Sequence, residues 1–482
     1  MKDLKLKLES LLSIILIINL SLIHSMNSVS AGTVDEWRSR TIYQLLTDRF
    51  AQSPGQENPS LCSNNFNETE IRHYCGGTFN GIVNKLDYLK NLGFDAIWIS
   101  PVVKQVEAET KYGVDWAQDL YQINEHFGTS DDLKNLVKAA HDKGIWVMDG
   151  KKPGTEDYVK IYNPFNKTED YHFYCPITNY KDPGNVEYCS VGGDDLPLPD
   201  LNTENPSVAS ELNKWIKWLV SEFNFDGIRI DTVRHIPHSF WSGFAKSSGV
   251  FSIGEILDGD PRIVASYQGL IDSTLGYPLY FKISYLFINP GANMYEIRDV
   301  INNDRNFFKD TSVLGNFIDC HDKPRLQHLT SIPIVYQGTE QGFSGPPTGE
   351  DPYNREALWP SNYKIDSPLY QFISNINAFR KILPTSYFTS LSIEAWINEH
   401  IYSFVKDRAL IVTSNYGSNN PNIDLIIQGN GRWNVGDNLI NVVKCEEVVV
   451  IDKDTNVPVK IDGEPKVFYP RDLLKNSGVC GL

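Results

Sequence analysis

Between Thr41 and Gly338 the chain repeats one unit, a short apolar run followed by a helical pattern. TIYQLLTDRF is followed by KLDYLKNLG, AIWISP by DDLKNLVKAAHDKG, IWVMD by ELNKWIKWLVSEF, and then comes DGIRID. The series continues through FSIGE at 251–255, TLGYPLY at 274–280, LGNFID at 314–319 and IPIVYQG at 332–338. Strands separated by whole helices cannot pair through hairpins, so the pattern demands a parallel sheet with crossover helices. Eight strands favour closure into a barrel over an open sheet. The expected fold is α/β: a (β/α)8 TIM barrel with a small inserted domain after the third strand and a C-terminal antiparallel β-sandwich domain.

Interruptions of the repeat set the expected domains. From Gly150 to about Ser210, prolines, glycines, tyrosines, two cysteines and a sequon fill a stretch too long for a plain loop. After Ile382, runs such as IYSFV, ALIVTS, NIDLII, EEVVVI and KVFYP alternate with turns, as antiparallel strands do. The boundaries expected are 32–149 and 211–382 for the barrel, 150–210 for the insertion and 383–482 for the terminal β domain. Residues 1–31 read as a signal peptide, with lysines in MKDLKLKLES, the apolar LLSIILIINLSLI and small residues ending at Ala31. The chain is thus expected to pass through the endoplasmic reticulum and to be secreted or held in a cell wall, with no anchor after cleavage.

That route bears on the seven cysteines, because an oxidising compartment favours disulfides. Spacing suggests Cys62–Cys75, Cys175–Cys189 and Cys445–Cys480, which leaves Cys320. Asn67 in NET and Asn166 in NKT are glycosylation acceptors in polar surroundings. A formal net charge of −16 argues against nucleic-acid partners and anionic membranes. Aromatic residues make up 12% of the chain, and rings stacked on sugar faces are one use for them.

On a barrel, polar residues at the C-terminal strand ends carry the chemistry. In GIRIDTVRH, Arg229, Asp231, Val233 and His235 would share one face of an extended strand. Asp231 closes this strand, Glu255 closes the next, and Asp322 lies just beyond another in FIDCHDKPR. Singly, each could be a helix cap, an ion pair or a turn residue. Together they would converge over the barrel mouth, where glycosidic cleavage needs one carboxylate to attack or stabilise an oxocarbenium-like state and one protonated carboxyl to release the leaving oxygen. Crowding of like charges would help keep that second group protonated, and Arg229 could keep Asp231 ionised. His235 and His321 could be core histidines or donors to sugar hydroxyls or a metal neighbour.

DEWRSRTIYQLLTDRFA, YCGGTFNGIVNKLDYLKNLGFDAIWISPV, GIRIDTVRH, GEILDGD, HDKPR and EDPYNREALW together resemble the secreted fungal α-amylases of glycoside hydrolase family 13, from about Trp37 to Cys480. The resemblance implies retaining hydrolysis of internal α-1,4-glucosidic bonds in starch, glycogen or cell-wall α-glucan by a monomer. It implies Asp231 as nucleophile, Glu255 as acid/base and Asp322 as stabiliser of the distorted sugar, with Arg229, His321, Asp351 and Arg355 positioning the nucleophile or sugar hydroxyls. Glu187, Asp200 and His235 match contributors to a structural Ca2+ site, His235 through its carbonyl. The three cysteine pairs agree with bridges of that family.

The chain also departs from that pattern. IWVM at 145–148 runs directly into DGKKPGTEDY, where the family has a segment close to DVVANHM with a calcium-binding Asn and a sugar-contacting His. KYGVDW at 111–116 replaces a longer YHGYW-like stretch, and LQHLTSIPIVYQG leaves little room for a helix between the seventh and eighth strands. Cys320 and Lys323 stand where the family usually has asparagines, and Asp319 where it has Glu. Two further readings follow: a catalytically weak or inactive relative that binds carbohydrate or assists wall assembly, and an α-glucan transglycosylase.

Overall fold

The computed structural model describes residues 32–63, 71–105, 117–151, 162–191, 199–289, 291–325, 334–346, 348–416, 422–429, 431–449 and 456–482. The expected signal peptide, Asn67 and most of the three shortened segments lie outside these residues. Strands β1 (Ile42–Gln44), β2 (Ala96–Ile99), β5 (Trp146–Lys151), β6 (Gly227–Ile230), β7 (Phe251–Gly254), β8 (Ser273–Thr274) and β9 (Ile334–Tyr336) form one parallel sheet. Its order is β8-β7-β6-β5-β2-β1-β9. Between them, β3 (Val103–Gln105) and β4 (Ala117–Ile123) make a separate antiparallel ribbon that the sequence pattern did not announce.

Crossover helices cover the sheet with one apolar face each. In the helix Ser130–Asp142 the buried residues are Leu133, Leu136, Val137 and Ala140, the three- and four-residue spacing of a helix stripe. Thr129 and Asp132 cap its start reciprocally, a device worth about 1 kcal/mol. The helix Pro206–Phe223 begins on Asn205, ends at a left-handed Asn224, and buries Leu212, Trp215, Ile216 and Leu219. These faces join the strand side chains in one main core.

Two of the eight expected strands differ from expectation. TLGYPLY contributes only Thr274, the second residue of β8, to the sheet, because Tyr277–Ile288 is a helix with Pro278 in its first turn. Proline lacks the amide that an interior strand must donate, whereas a first helical turn does not need it. LGNFID meets β8 through a single parallel bridge, Leu275–Gly315, with Gly315 N donating to Thr274 O at 3.0 Å. Gly315 fills the seventh barrel position by close approach: a Cβ there would lie 2.3 Å from Ile253 Cδ1 and 3.0 Å from Ile334 Cδ1.

In the insertion, Pro183–Tyr188 is a short helix beside the Cys175–Cys189 disulfide, and Asn166 is exposed. C-terminal to the barrel, β10 (Ser392–Ile397), β11 (Ile401–Lys406), β12 (Ala409–Ser414), β14 (Asn438–Asn441), β15 (Glu446–Val449) and β17 (Lys466–Pro470) form an antiparallel sheet. β13 (Ile423–Gln428) and β16 (Asn456–Ile461) form a second, and side chains from both enter one apolar cluster. Cys62–Cys75 and Cys445–Cys480 are also bonded, and Cys320 is free and buried. Among the described residues no helix is long and apolar enough to cross a membrane.

Candidate active site

β6 carries the centre of the site. Arg229 is paired in register with Ile253 of β7, and Ile230 with Gly254, so Glu255 emerges beside Asp231. Two backbone bonds fix this, from Glu255 N to Ile230 O at 2.7 Å and from Val233 N to Glu255 O at 3.0 Å. The strand then breaks: Thr232 has φ 49°, in the left-handed region that a β-branched residue rarely occupies, and Val233–His235 is a single 3-10 turn. His235 therefore leaves the face that Arg229 and Asp231 share.

Arg229 is 4% exposed and makes ion pairs with both Asp231 and Glu255, the second at 3.0 Å. Its guanidinium carbon lies 4.9 Å from the centre of the Trp98 ring. Tyr277 Oη donates to Glu255 Oε1 at 2.8 Å. Burial alone would raise the pKa of Glu255, but Arg229, a hydrogen bond shared with Asp231, and Tyr277 outweigh it and hold the group at about 2. Like-charge crowding thus does not keep Glu255 protonated in this arrangement.

Across a cavity of about 240 Å³, lined by Asp231, Trp98, Gln44, His321, Asp322 and Arg355, stands a second group. His321 Nε2 is 3.0 Å from Asp322 Oδ2, and its Nδ1 is 2.6 Å from Gln44 Nε2. Arg355 Nη2 donates to Asp322 Oδ1 at 3.1 Å, and its Nε lies 3.3 Å from Asp351 Oδ1. Asn354 Nδ2 donates to the carbonyls of His321 and Lys323, each at 3.0 Å, which holds the turn that carries Asp322.

Residues 44–331 match the family model for the alpha-amylase catalytic domain, and residues 397–482 match the model for alpha-amylase domain C. Alpha-amylase 2 of Schwanniomyces occidentalis is 36% identical over 495 residues, covering 95% of both chains. The alpha-amylase of Saccharomycopsis fibuligera is 37% identical, covering 92% of this chain and 94% of that one. The chain belongs to the alpha-amylase family. Among solved structures, the alpha-amylase of Malbranchea cinnamomea superposes with a TM-score of 0.86 at 36% identity, over 93% of this chain and all of that one. An alpha-amylase-type glycoside hydrolase is what the fold, the relatives and the strand-end carboxylates together describe.

In this alpha-amylase fold the expected cleft residues Arg229, Asp231, Glu255, His321, Asp322, Asp351 and Arg355 come together at one barrel mouth. Glu187, Asp200 and His235 do not bring three side-chain ligands together. Among the described residues only Cys320, His321 and Asp322 do so. Asp200 Oδ2 pairs with His172 Nδ1 at 2.7 Å, and Glu187 faces His238 at 3.9 Å. Sequence reasoning missed Tyr277, Gln44 and Trp98. Gln44, a lone amide in the apolar TIYQLL run at a strand end, carried a usable signal.

Proposed function

We propose that Asp231, Glu255 and Asp322 carry retaining hydrolysis of internal α-1,4-glucosidic bonds, with starch, glycogen or a cell-wall α-glucan as substrate. The observation that carries this reading is the Arg229 clamp, which holds Asp231 and Glu255 side by side at neighbouring strand ends, with Asp322 across the cavity. Ionised Asp231 attacks the anomeric carbon, while Glu255, protonated before the step, gives its proton to the leaving oxygen. Glu255 then takes a proton from water as the glycosyl ester on Asp231 is hydrolysed. His321, Asp322, Asp351 and Arg355 would hold the hydroxyls of the distorted ring, with interactions that strengthen as charge develops.

A structural Ca2+ near the insertion would draw on Asp200 in place of its present His172 partner. Asp200 is largely buried, burial raises its pKa to about 6, and it lines one cavity with His235. A carboxylate so desolvated gains from a cation. Asp200, the His235 carbonyl and Glu187 would hold the ion, which supplies a structural tie between the insertion and the barrel. Secretion after removal of residues 1–31, glycosylation at Asn67 and Asn166, a monomeric state, and domain limits at 149/150, 210/211 and 382/383 belong to the same reading.

The test is reducing-end release from soluble starch by the secreted protein and by Glu255→Gln. Loss of general-acid catalysis should lower kcat by about 10²- to 10⁴-fold. Equal rates from the two proteins would sink the assignment.

A further inference from the structure

Cys320 is the one cysteine outside the three disulfides, and it directly precedes two residues of the cleft. In an extended strand, Cys320, His321 and Asp322 would point alternately to opposite faces. Here they do not, because the chain turns. A Cys320–Lys323 bridge closes the turn, and Asn354 donates from outside it. One ligand atom from each of the three, the Cys320 thiol sulfur, an imidazole nitrogen of His321 and a carboxylate oxygen of Asp322, therefore lie within 4.8 Å of one another.

Sulfur, nitrogen and oxygen donors on three residues form the donor set of zinc and its soft neighbours, whereas calcium selects oxygen alone. Tetrahedral zinc, with bonds of about 2.0–2.3 Å, sets its ligands roughly 3.5 Å apart, so the cluster closes on a cation through small side-chain rotations. Gln44 supplies the outer support. Its Nε2 faces His321 Nδ1 at 2.6 Å, while its Oε1 is buried with no hydrogen-bond partner. Turned end for end, the amide would accept from Nδ1–H, satisfy that oxygen and free the Nε2 lone pair for a metal. Asp322 is exposed to the cleft, which leaves an approach and a fourth position for water.

We propose that Cys320, His321 and Asp322 form a binding site for a thiophilic divalent cation, Zn2+ foremost, and that its occupation stops hydrolysis by taking Asp322 and His321 from the sugar. Binding exchanges the thiol proton for the cation, the proton leaving to solvent, with no change of oxidation state. The binding half stands on the cluster alone. The inhibitory half rests on the role proposed above for Asp322.

Titration of the full-length protein with Co2+, in the presence of Ca2+, reads the site directly. A thiolate-to-cobalt charge-transfer band should saturate at one cation per chain, vanish on addition of Zn2+, and be missing in Cys320→Ser and Cys320→Asn. The asparagine variant restores the residue usual in the family and guards against misfolding of the serine one. In parallel, Zn2+ should inhibit starch hydrolysis by the natural protein, chelation should reverse it, and the inhibitory concentration should rise at least tenfold in both variants, each scored against its own uninhibited rate. A missing thiolate band, or one that survives in both variants, overturns the site. A normal band with undiminished hydrolysis leaves the site standing and overturns the inhibitory half together with the role of Asp322. Equal zinc sensitivity in all three proteins places inhibition elsewhere and overturns that half alone.

Discussion

Two buried arginines in the barrel face the same task with opposite results. Arg229 pairs with Asp231 and Glu255, and Glu255 is held at about 2 although it is buried. Arg325 pairs with Glu356 at 2.5 Å and lies 3.8 Å from Asp319, whose pKa burial raises to about 6 although Arg325 and Thr339 pull it down. Arginine distance alone does not explain this, since 3.0 against 3.8 Å changes a Coulomb attraction by only about a quarter. The number of direct donors does. Glu255 receives bonds from Tyr277 and the Thr232 amide besides the guanidinium, while Asp319 receives one from Thr339 and feels the like charge of Glu356. A buried arginine fixes the charge of a carboxylate only when contacts finish the work.

The largest break should come from Arg229→Met, which leaves two buried carboxylates without their cation. It should abolish measurable starch hydrolysis and cost about 3–5 kcal/mol in denaturant unfolding. Arg325→Met should cost a similar 3–5 kcal/mol while kcat, measured well below the unfolding transition, stays within about threefold. If Arg325→Met silenced the enzyme as Arg229→Met does, the division between a catalytic and a sealed cluster would fail.

Asp319 sharpens the comparison through pH. Unfolded, the group ionises near its ordinary 3.8, and folded it keeps its proton up to about 6, so the fold holds the extra proton in that window. Stability should therefore fall as pH rises from about 4 to 6, by about 2–3 kcal/mol, and level off above. Melting curves of Asp319→Asn should lack this decline, and a parallel decline would assign it to another group. Glu255 has the opposite sign: it contributes stability above its ordinary 4.5, lost as pH falls towards about 2.

The smallest effect is expected from Asp319→Glu. Two Arg325 nitrogens are buried without hydrogen-bond partners, and one more methylene lets the carboxylate reach them. A gain of about 1 kcal/mol is expected, and a loss would show that the added volume strains the core more than the new bond returns.

Much of the fold and site was legible because both rest on periodicity and strand ends. Asp231, Glu255 and Asp322 were singled out by asking which polar residues follow apolar runs, and the three disulfides by spacing and the expected oxidising route. Alternation failed for His235, since the kink at Thr232 ends the strand and no residue type forces a threonine to φ 49°. TLGYPLY misled because its apolar residues suit a strand or a helix equally, and only Pro278 tips the balance. Tyr277 went unseen for the same reason. The protonation of Glu255 was beyond the sequence, since it depends on which of several opposing groups come within hydrogen-bond reach.

Gly315 governs more than its own turn. Its missing side chain allows the 314–319 segment to nest between Ile253 and Ile334, and the same segment continues, seven residues on, into Asp322. A single methyl group there would press on the buried ends of Ile253 and Ile334, and any part of that strain passed to the backbone would move the segment that carries the carboxylate. The span between the two halves of the cleft is thus gauged at a point deep in the barrel wall, by a residue that touches no sugar.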